Sequence, residues 1–216
     1  MPNWCDNTVY ITHDDPKKIK VLVDAWKENK FFGTIHPEPD YTKVKVRPTF
    51  NSRGSTPSPE FVSPESAWWD WRVQNWGTKW EITTDEAYID IKENEIKASF
   101  ATAWSPPTGI FDKLVEDGYG VNALYYEGGC CFCGQYVDGS DETYDISGKW
   151  LDVKNNIPDN IDLEFGISEN MKEWAMQELA DEIEELEQSL SEDKDNHETI
   201  AQLIAKKKEL EEMEDA

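Results

Sequence analysis

The sequence predicts an α+β domain followed by an antiparallel helical hairpin. Three observations lead to this. Short runs alternating apolar and polar residues recur between residues 7 and 146, the period of a strand with one buried face. Two stretches with apolar residues at helical spacing interrupt those runs: Ile19, Leu22, Val23 and Trp26, then Ile110, Phe111, Leu114 and Val115. Beyond residue 170, Met176, Leu179, Ile183, Leu186 and Leu190 recur at spacings of three and four, a heptad seam.

In chain order, Asn7 to Thr12 reads as a strand, and Asp14-Asp15-Pro16 starts a helix with an Asp cap and a first-turn proline. Gly33 closes that helix or the turn after it. Residues 34–66 carry Pro37, Pro39, Pro48, Pro57, Pro59 and Pro64, and read as a long Pro-rich insertion. Its Lys43, Lys45, Arg47 and Arg53 fit a solvated loop better than a contact surface. Ser66 to Asn75 reads as a short helix bearing Trp68, Trp69 and Trp71, and Asn75 to Thr78 as a turn.

Strands follow over 79–83, 87–92 and 95–102, the last two joined as a hairpin by Glu93-Asn94. A helix begins after Ser105-Pro106-Pro107-Thr108 and stops at Asp117-Gly118. Strands over 121–127, 130–137 and 143–146 complete the domain. The core order of strand, helix, strand, strand, helix, strand is that of a ferredoxin-like split βαβ sandwich, here with extra antiparallel strands; the term concerns topology and implies no iron–sulfur cluster. The expected domains are residues 1–147, a linker over 148–170, and an acidic helical hairpin over 171–216. Asp195 and Glu198 offer a capping box to the second hairpin helix, whose stripe is Ile200, Leu203, Ile204, Leu210 and Met213.

Charge narrows the function. Lys and Arg number 21 and Asp and Glu 45, so the 216-residue chain carries a formal net charge of −24. Such a field opposes nucleic-acid phosphates and favours basic partners. Residues 168–216 hold 17 acids and 5 lysines, net −12, half of the excess. No run of apolar residues is long enough to cross a membrane, and the N-terminal Met1 to Asp6 lacks signal-peptide character. A cytoplasmic location, in a host cell, is expected.

Four sequence motifs together resemble an uncharacterised family of phage- and plasmid-borne proteins assigned a ferredoxin-like domain: Met1-Pro2-Asn3-Trp4-Cys5, Asn75-Trp76-Gly77-Thr78-Lys79-Trp80, Phe100 to Pro107, and Phe132-Cys133-Gly134 with Asp138-Gly139. The resemblance covers about residues 1–147. It implies a mobile-element origin and the same fold, and it carries no activity.

Chemistry-bearing motifs are sparse. Cys130, Cys131 and Cys133 lie together and Cys5 apart, a spacing unsuited to a tetrahedral zinc site. They read as small buried strand residues with free thiols, with Cys131 and Cys133 on one face, and no metal or cofactor is expected. No nucleophile elbow, zincin helix or P-loop is present, so no catalytic residue is assigned. The leading reading is a binding protein, a phage or mobile-element accessory and counter-defence factor. Its partner-binding residues are Glu182, Glu184, Glu185, Glu187, Glu192, Asp193 and Asp195, which would occupy the basic nucleic-acid-binding surface of a host protein. An alternative is a small-ligand pocket for a nucleotide signal at Trp76, Lys79, Trp80 and Trp104, with a tryptophan core as the plainer account. A third reading makes the hairpin a seam for homo-oligomers.

Overall fold

The computed structural model describes residues 3–49, 61–192 and 196–214. The chain divides into two compact units, Met1–Ile146 and Ser147–Ala216.

The first unit is a mixed α/β structure. Its described α-helices and strands are β1 (Trp4–Thr12), α1 (Pro16–Lys27), α2 (Phe31–Ile35), α3 (Ala67–Asn75), β2 (Tyr88–Lys92), β3 (Glu95–Ala103), α4 (Thr108–Glu116), β4 (Gly120–Glu127), β5 (Phe132–Val137) and β6 (Ser140–Asp145), with a 3-10 turn at Thr84–Glu86 before β2. The six strands form one sheet in the order β2-β3-β1-β4-β5-β6, and every neighbouring pair is antiparallel.

Strand alternation builds the core. Val9 pairs with Ala98 and Ala123, and Ile11 with Ile96 and Val121, so these side chains share one face. They join Ile19, Leu22, Val23 and Trp26 of α1 and Ile110, Phe111 and Leu114 of α4 in a single buried cluster. Asp15 caps α1 by accepting from the Lys17 N–H at 2.9 Å, with Pro16 opening the helix.

Several expectations change. Gly33 lies inside α2 and ends nothing. Residues 79–83 form no strand, because side chains make the bonds a ladder would have made. The Thr78 hydroxyl donates to the Ala103 carbonyl at 3.1 Å and accepts from its N–H at 3.2 Å. The Glu81 carboxylate accepts from the Phe32 and Gly33 N–H groups at 2.8 and 2.9 Å.

Cys130 and Cys131 precede β5 in the turn that joins it to β4. Glu127, buried, accepts there from the N–H groups of Gly129 and Cys130, and Cys131 has φ +59°. Cys131 and Cys133 therefore do not share a strand face, and Cys130 is exposed while Cys5 and Cys133 are buried.

The described part of the insertion is tied to α3 and to Trp76 just after it, while Thr42 to Lys45 and Arg47 are exposed, as expected of a solvated loop. The Trp76 indole donates to the His36 carbonyl at 2.8 Å, Arg72 Nε donates to Glu38 at 2.7 Å, and the Thr49 N–H donates to Asp70 at 2.5 Å. Lys45 and Arg47 lie over the Phe61 ring. Arg53, Pro57 and Pro59 lie outside the described residues.

In the second unit, residues 148–170 are not a linker. They form α5 (Trp150–Asn156), α6 (Asp159–Phe165) and the start of α7 (Ile167–Glu192). Gly166, in the left-handed conformation, ends α6, and Asp162 accepts from the Ser168 N–H at 2.7 Å to start α7. The predicted heptad residues of α7 are buried or half-buried, and α8 (His197–Glu214) packs along α7. Lys207 meets Glu187 at 2.6 Å and Lys206 bonds Glu182. The cap of α8 is Asn196, whose Oδ1 accepts from the Thr199 N–H at 3.2 Å; Asp195, the residue expected there, lies outside the described residues. Among the described residues no helix is long and apolar enough to cross a membrane.

Candidate functional site

Two surfaces bring functional side chains together, one in each unit. In the first unit three of the sequence motifs, those containing Trp4, Trp76 to Trp80 and Trp104, meet at one end of the sheet, while Asp138-Gly139 lies toward the other end, against Val121. Trp4 stands opposite Ala103 in the β1–β3 ladder, and its ring lies 5.9 Å from that of Trp80. Asn3, from the same motif, accepts at its carbonyl from the Trp104 N–H at 3.0 Å.

The turn after α3 interlocks with the start of α4. Gly77 has φ +87°, and a Cβ there would stand 2.8 Å from the Pro106 carbonyl oxygen and 2.9 Å from the Thr108 nitrogen. Glycine alone satisfies both demands. A Cβ on Gly109 would fall 2.2 Å from the Asn75 carbonyl oxygen. The Ser105 hydroxyl donates to the Gly77 carbonyl at 2.5 Å. Trp104 leaves the end of β3 with φ +73°, an uncommon conformation for a large side chain, and the residue is 46% exposed.

These contacts shape two adjoining clefts that share Ala103. One, of about 380 Å³, is lined by Trp4, Asp6, Trp80, Glu81, Thr83 and Glu86 together with residues 101–103. The other, of about 420 Å³, is lined by Trp69, Val73, Lys79, Trp104 and their neighbours. The four ligand-binding candidates are thus distributed: Lys79 and Trp104 line one cleft, Trp80 lines the other, and Trp76 is buried. Trp76 packs against Phe32 and Trp71 at 5.8 and 6.1 Å between ring centroids, so it is core. Arg72 lies over the Trp76 and Trp68 rings at 4.6 and 5.3 Å. Trp4 and Asp6 complete the aromatic and acidic lining and were not singled out from the sequence as ligand-binding residues; only the unusual opening motif hinted at Trp4.

Burial raises the carboxyl pKa of Asp6. It also raises that of Glu81, against the lowering effect of the backbone N–H groups it accepts from and of Arg72. Burial, reinforced by the charges of Asp6 and Glu127, pushes the Cys5 thiol far above its ordinary value. Among the described residues no group of three His, Cys, Asp or Glu side chains is placed to hold a metal ion.

In the second unit a broad groove of about 970 Å³ runs along α7. Its apolar lining includes Trp150, Met171, Trp174, Leu179 and Met213, and its acids are Glu178, Asp181, Glu182, Glu185 and Glu209. Trp174 is 78% exposed. Spacings of three and four place Glu178, Asp181, Glu182 and Glu185 along one side of α7. Lys154 and Lys172 lie 5.7 and 5.5 Å from the Trp150 ring centroid.

The predicted partner-binding acids are divided by this geometry. Glu182 and Glu185 line the groove, although Glu182 also bonds Lys206. Glu187 is paired with Lys207, and Glu184 accepts from Gln188 at 3.4 Å. The side chain of Glu192, and Asp193 and Asp195 entirely, lie outside the described residues.

No protein-family model and no curated protein matches the chain. Among solved structures it is similar to the crystal structure of protein api92 from Yersinia pseudotuberculosis, of family DUF1281, at 9% identity and a TM-score of 0.37. That similarity covers 68% of this chain and 99% of the other.

Proposed function

We propose that the chain is a binding protein whose acidic helical unit occupies the basic, nucleic-acid-binding surface of a host protein. The observation that carries this is the groove along α7, where apolar side chains are lined by five carboxylates and two lysines, Lys149 and Lys206. Residues 147–216 hold 21 acids and seven lysines, so the field around the groove is negative and steers a basic partner toward it. Trp174 and Met171 supply apolar area of the kind that anchors protein interfaces, while the acids set orientation and association rate. The groove acids Glu178, Asp181 and Glu209 extend the partner-binding set beyond the residues chosen from sequence, which already included Glu182 and Glu185.

The wider reading rests on the same features and on the motif resemblance. A mobile-element accessory protein acting as a counter-defence factor in the host cytoplasm would need a fold that presents such a unit. The sheet order β2-β3-β1-β4 with α1 and α4 as crossovers supports a ferredoxin-like assignment for the first unit, extended by β5 and β6.

The test uses the full chain as bait in host lysate, followed by binding of the captured protein in purified form. A partner released by salt and displaced by nucleic acid supports the reading. The triple variant Glu178→Lys, Glu185→Lys, Glu209→Lys leaves the Glu182–Lys206 and Glu187–Lys207 pairs intact, and should weaken binding by more than about tenfold, the scale of several charge contacts. If affinity survives that reversal, the proposal fails.

A further inference from the structure

The cleft between Trp4 and Trp80 has a chemistry of its own, independent of the acidic groove. Two indoles in mutual contact, 5.9 Å apart between ring centroids and inclined at 41°, form part of its wall. Trp4 is 50% and Trp80 39% exposed, so both offer ring surface to a ligand. The remaining polar side chains lining it are Asp6, Glu81, Thr83, Glu86 and Thr102, and none of the lining residues is basic. Glu81 is committed to the N–H groups of Phe32 and Gly33, which leaves Asp6 and Glu86 as the carboxylates open to a ligand.

From this lining we infer that the cleft is a binding site for an organic ammonium group, held against the Trp4 and Trp80 indoles and neutralised by Asp6 and Glu86. The indole face is electron-rich and attracts a cation within about 6 Å of its centroid. Trp80 already does this within the free protein, because Lys79 Nζ stands 3.9 Å from the centre of its ring. Lys79 lines the neighbouring cleft rather than this one, so the lining of this cleft supplies no cation of its own to the indoles. Asp6 projects from the same strand as Trp4, two residues on, hence on the same face. Burial raises its pKa, and a cation in the cleft would offset that desolvation.

The lining also selects against the alternatives. The phosphates of a nucleotide would meet Asp6 and Glu86 and be repelled. A neutral aromatic ligand would use the indoles but gain nothing from the carboxylates. A volume of about 380 Å³ suits a small headgroup rather than a polymer.

The experiment titrates the full chain with choline and with its uncharged carbon isostere, 3,3-dimethylbutan-1-ol, by calorimetry and by NMR of the indole N–H signals. Choline should bind and shift the Trp4 and Trp80 signals, and the isostere should bind at least about fivefold more weakly, the scale of one cation–π contact. Asp6→Asn should lower choline affinity by about five- to tenfold, and Trp80→Leu should remove the binding; both sites are exposed, and indole spectra of the variants report their folding. Choline has no titrating proton, so its affinity should fall as pH drops through the Asp6 pKa. Equal binding of the isostere, unchanged affinity in Asp6→Asn, or unmoved Trp4 and Trp80 signals at tens of millimolar choline (roughly the weakest binding a single such contact supports) would each overturn the assignment.

Discussion

Replacing Thr78 by valine removes one oxygen and conserves volume, and its effect follows from two hydrogen bonds to Ala103. The Thr78 hydroxyl lies 3.1 Å from the Ala103 carbonyl and 3.2 Å from the Ala103 N–H, and the residue is 1% exposed. Valine leaves both backbone groups of Ala103 facing a methyl group. A buried polar group left without its partner costs about 1–3 kcal/mol, so two such groups give about 2–6 kcal/mol, and water reaching the cleft beside Ala103 lowers this to about 2–4 kcal/mol. For a unit of this size that corresponds to a fall in Tm of roughly 6–16 °C.

Thr78→Ser keeps the hydroxyl and should cost about 1 kcal/mol, the scale of one lost methyl group. Urea denaturation followed by tryptophan fluorescence measures both variants, and indole N–H spectra of the folded proteins report whether Trp80 has moved. If the valine variant melts within about 0.5 kcal/mol of the wild type, a typical neutral surface substitution, then Thr78 does not tie residues 77–80 to β3 and the argument for that end of the sheet fails.

Other perturbations address the same architecture. Gly77→Ala places a methyl group against the backbone of Pro106 and Thr108 at positive φ, and should destabilise the first unit by about 2–4 kcal/mol, measured by the same denaturation. In the native protein Cys130 should react with a thiol reagent while Cys5 and Cys133 react only after unfolding; the Glu127 carboxylate, by hydrogen bonding, holds the Cys130 thiol above its ordinary pKa, so its rate should keep rising well above neutral pH. Burial raises the Asp6 and Glu81 carboxyls in the folded state, so the folded chain binds those protons more tightly than the unfolded one. Their share of stability is therefore gained as pH falls from neutral through the raised values, and is complete below the unfolded values of about 4. Glu81→Gln should show a smaller gain in urea midpoint between pH 7 and 5 than the wild type, and an equal gain would show that Glu81 does not titrate as described.

How much of this was legible in the sequence depended on the range of the signal. Period-2 alternation around Val9 and Ile11 and the helical spacing of Ile19, Leu22, Val23 and Trp26 located β1 and α1, because those periods are set by local backbone geometry. The heptad from Met176 to Leu190 did the same for α7. Over 148–170 the apolar residues Val153, Ile157, Ile161 and Ile167, all buried, are divided between α5, the turn after it, α6 and the first residue of α7, so no single element carries enough of them to show a period and the stretch read as a linker. The run 79–83 looked like a strand because Trp80 and Ile82 alternate with polar residues, but Glu81 accepts from Phe32 and Gly33 and the preceding Thr78 is bonded to Ala103.

The sequence by itself determined the composition of the surfaces: an excess of carboxylates concentrated toward the end of the chain, and tryptophans concentrated near turns and strand ends. Only the tertiary structure decided what each of those residues does. Trp76 and Trp80 are four positions apart in one motif, yet the first is sealed between Phe32 and Trp71 and the second faces Trp4. Glu185 and Glu187 stand on the same helix, yet one lines a groove and the other is paired with Lys207. The physical reason is that burial and pairing depend on contacts between residues far apart in the chain, and no local period in the sequence records which distant residue will be the neighbour.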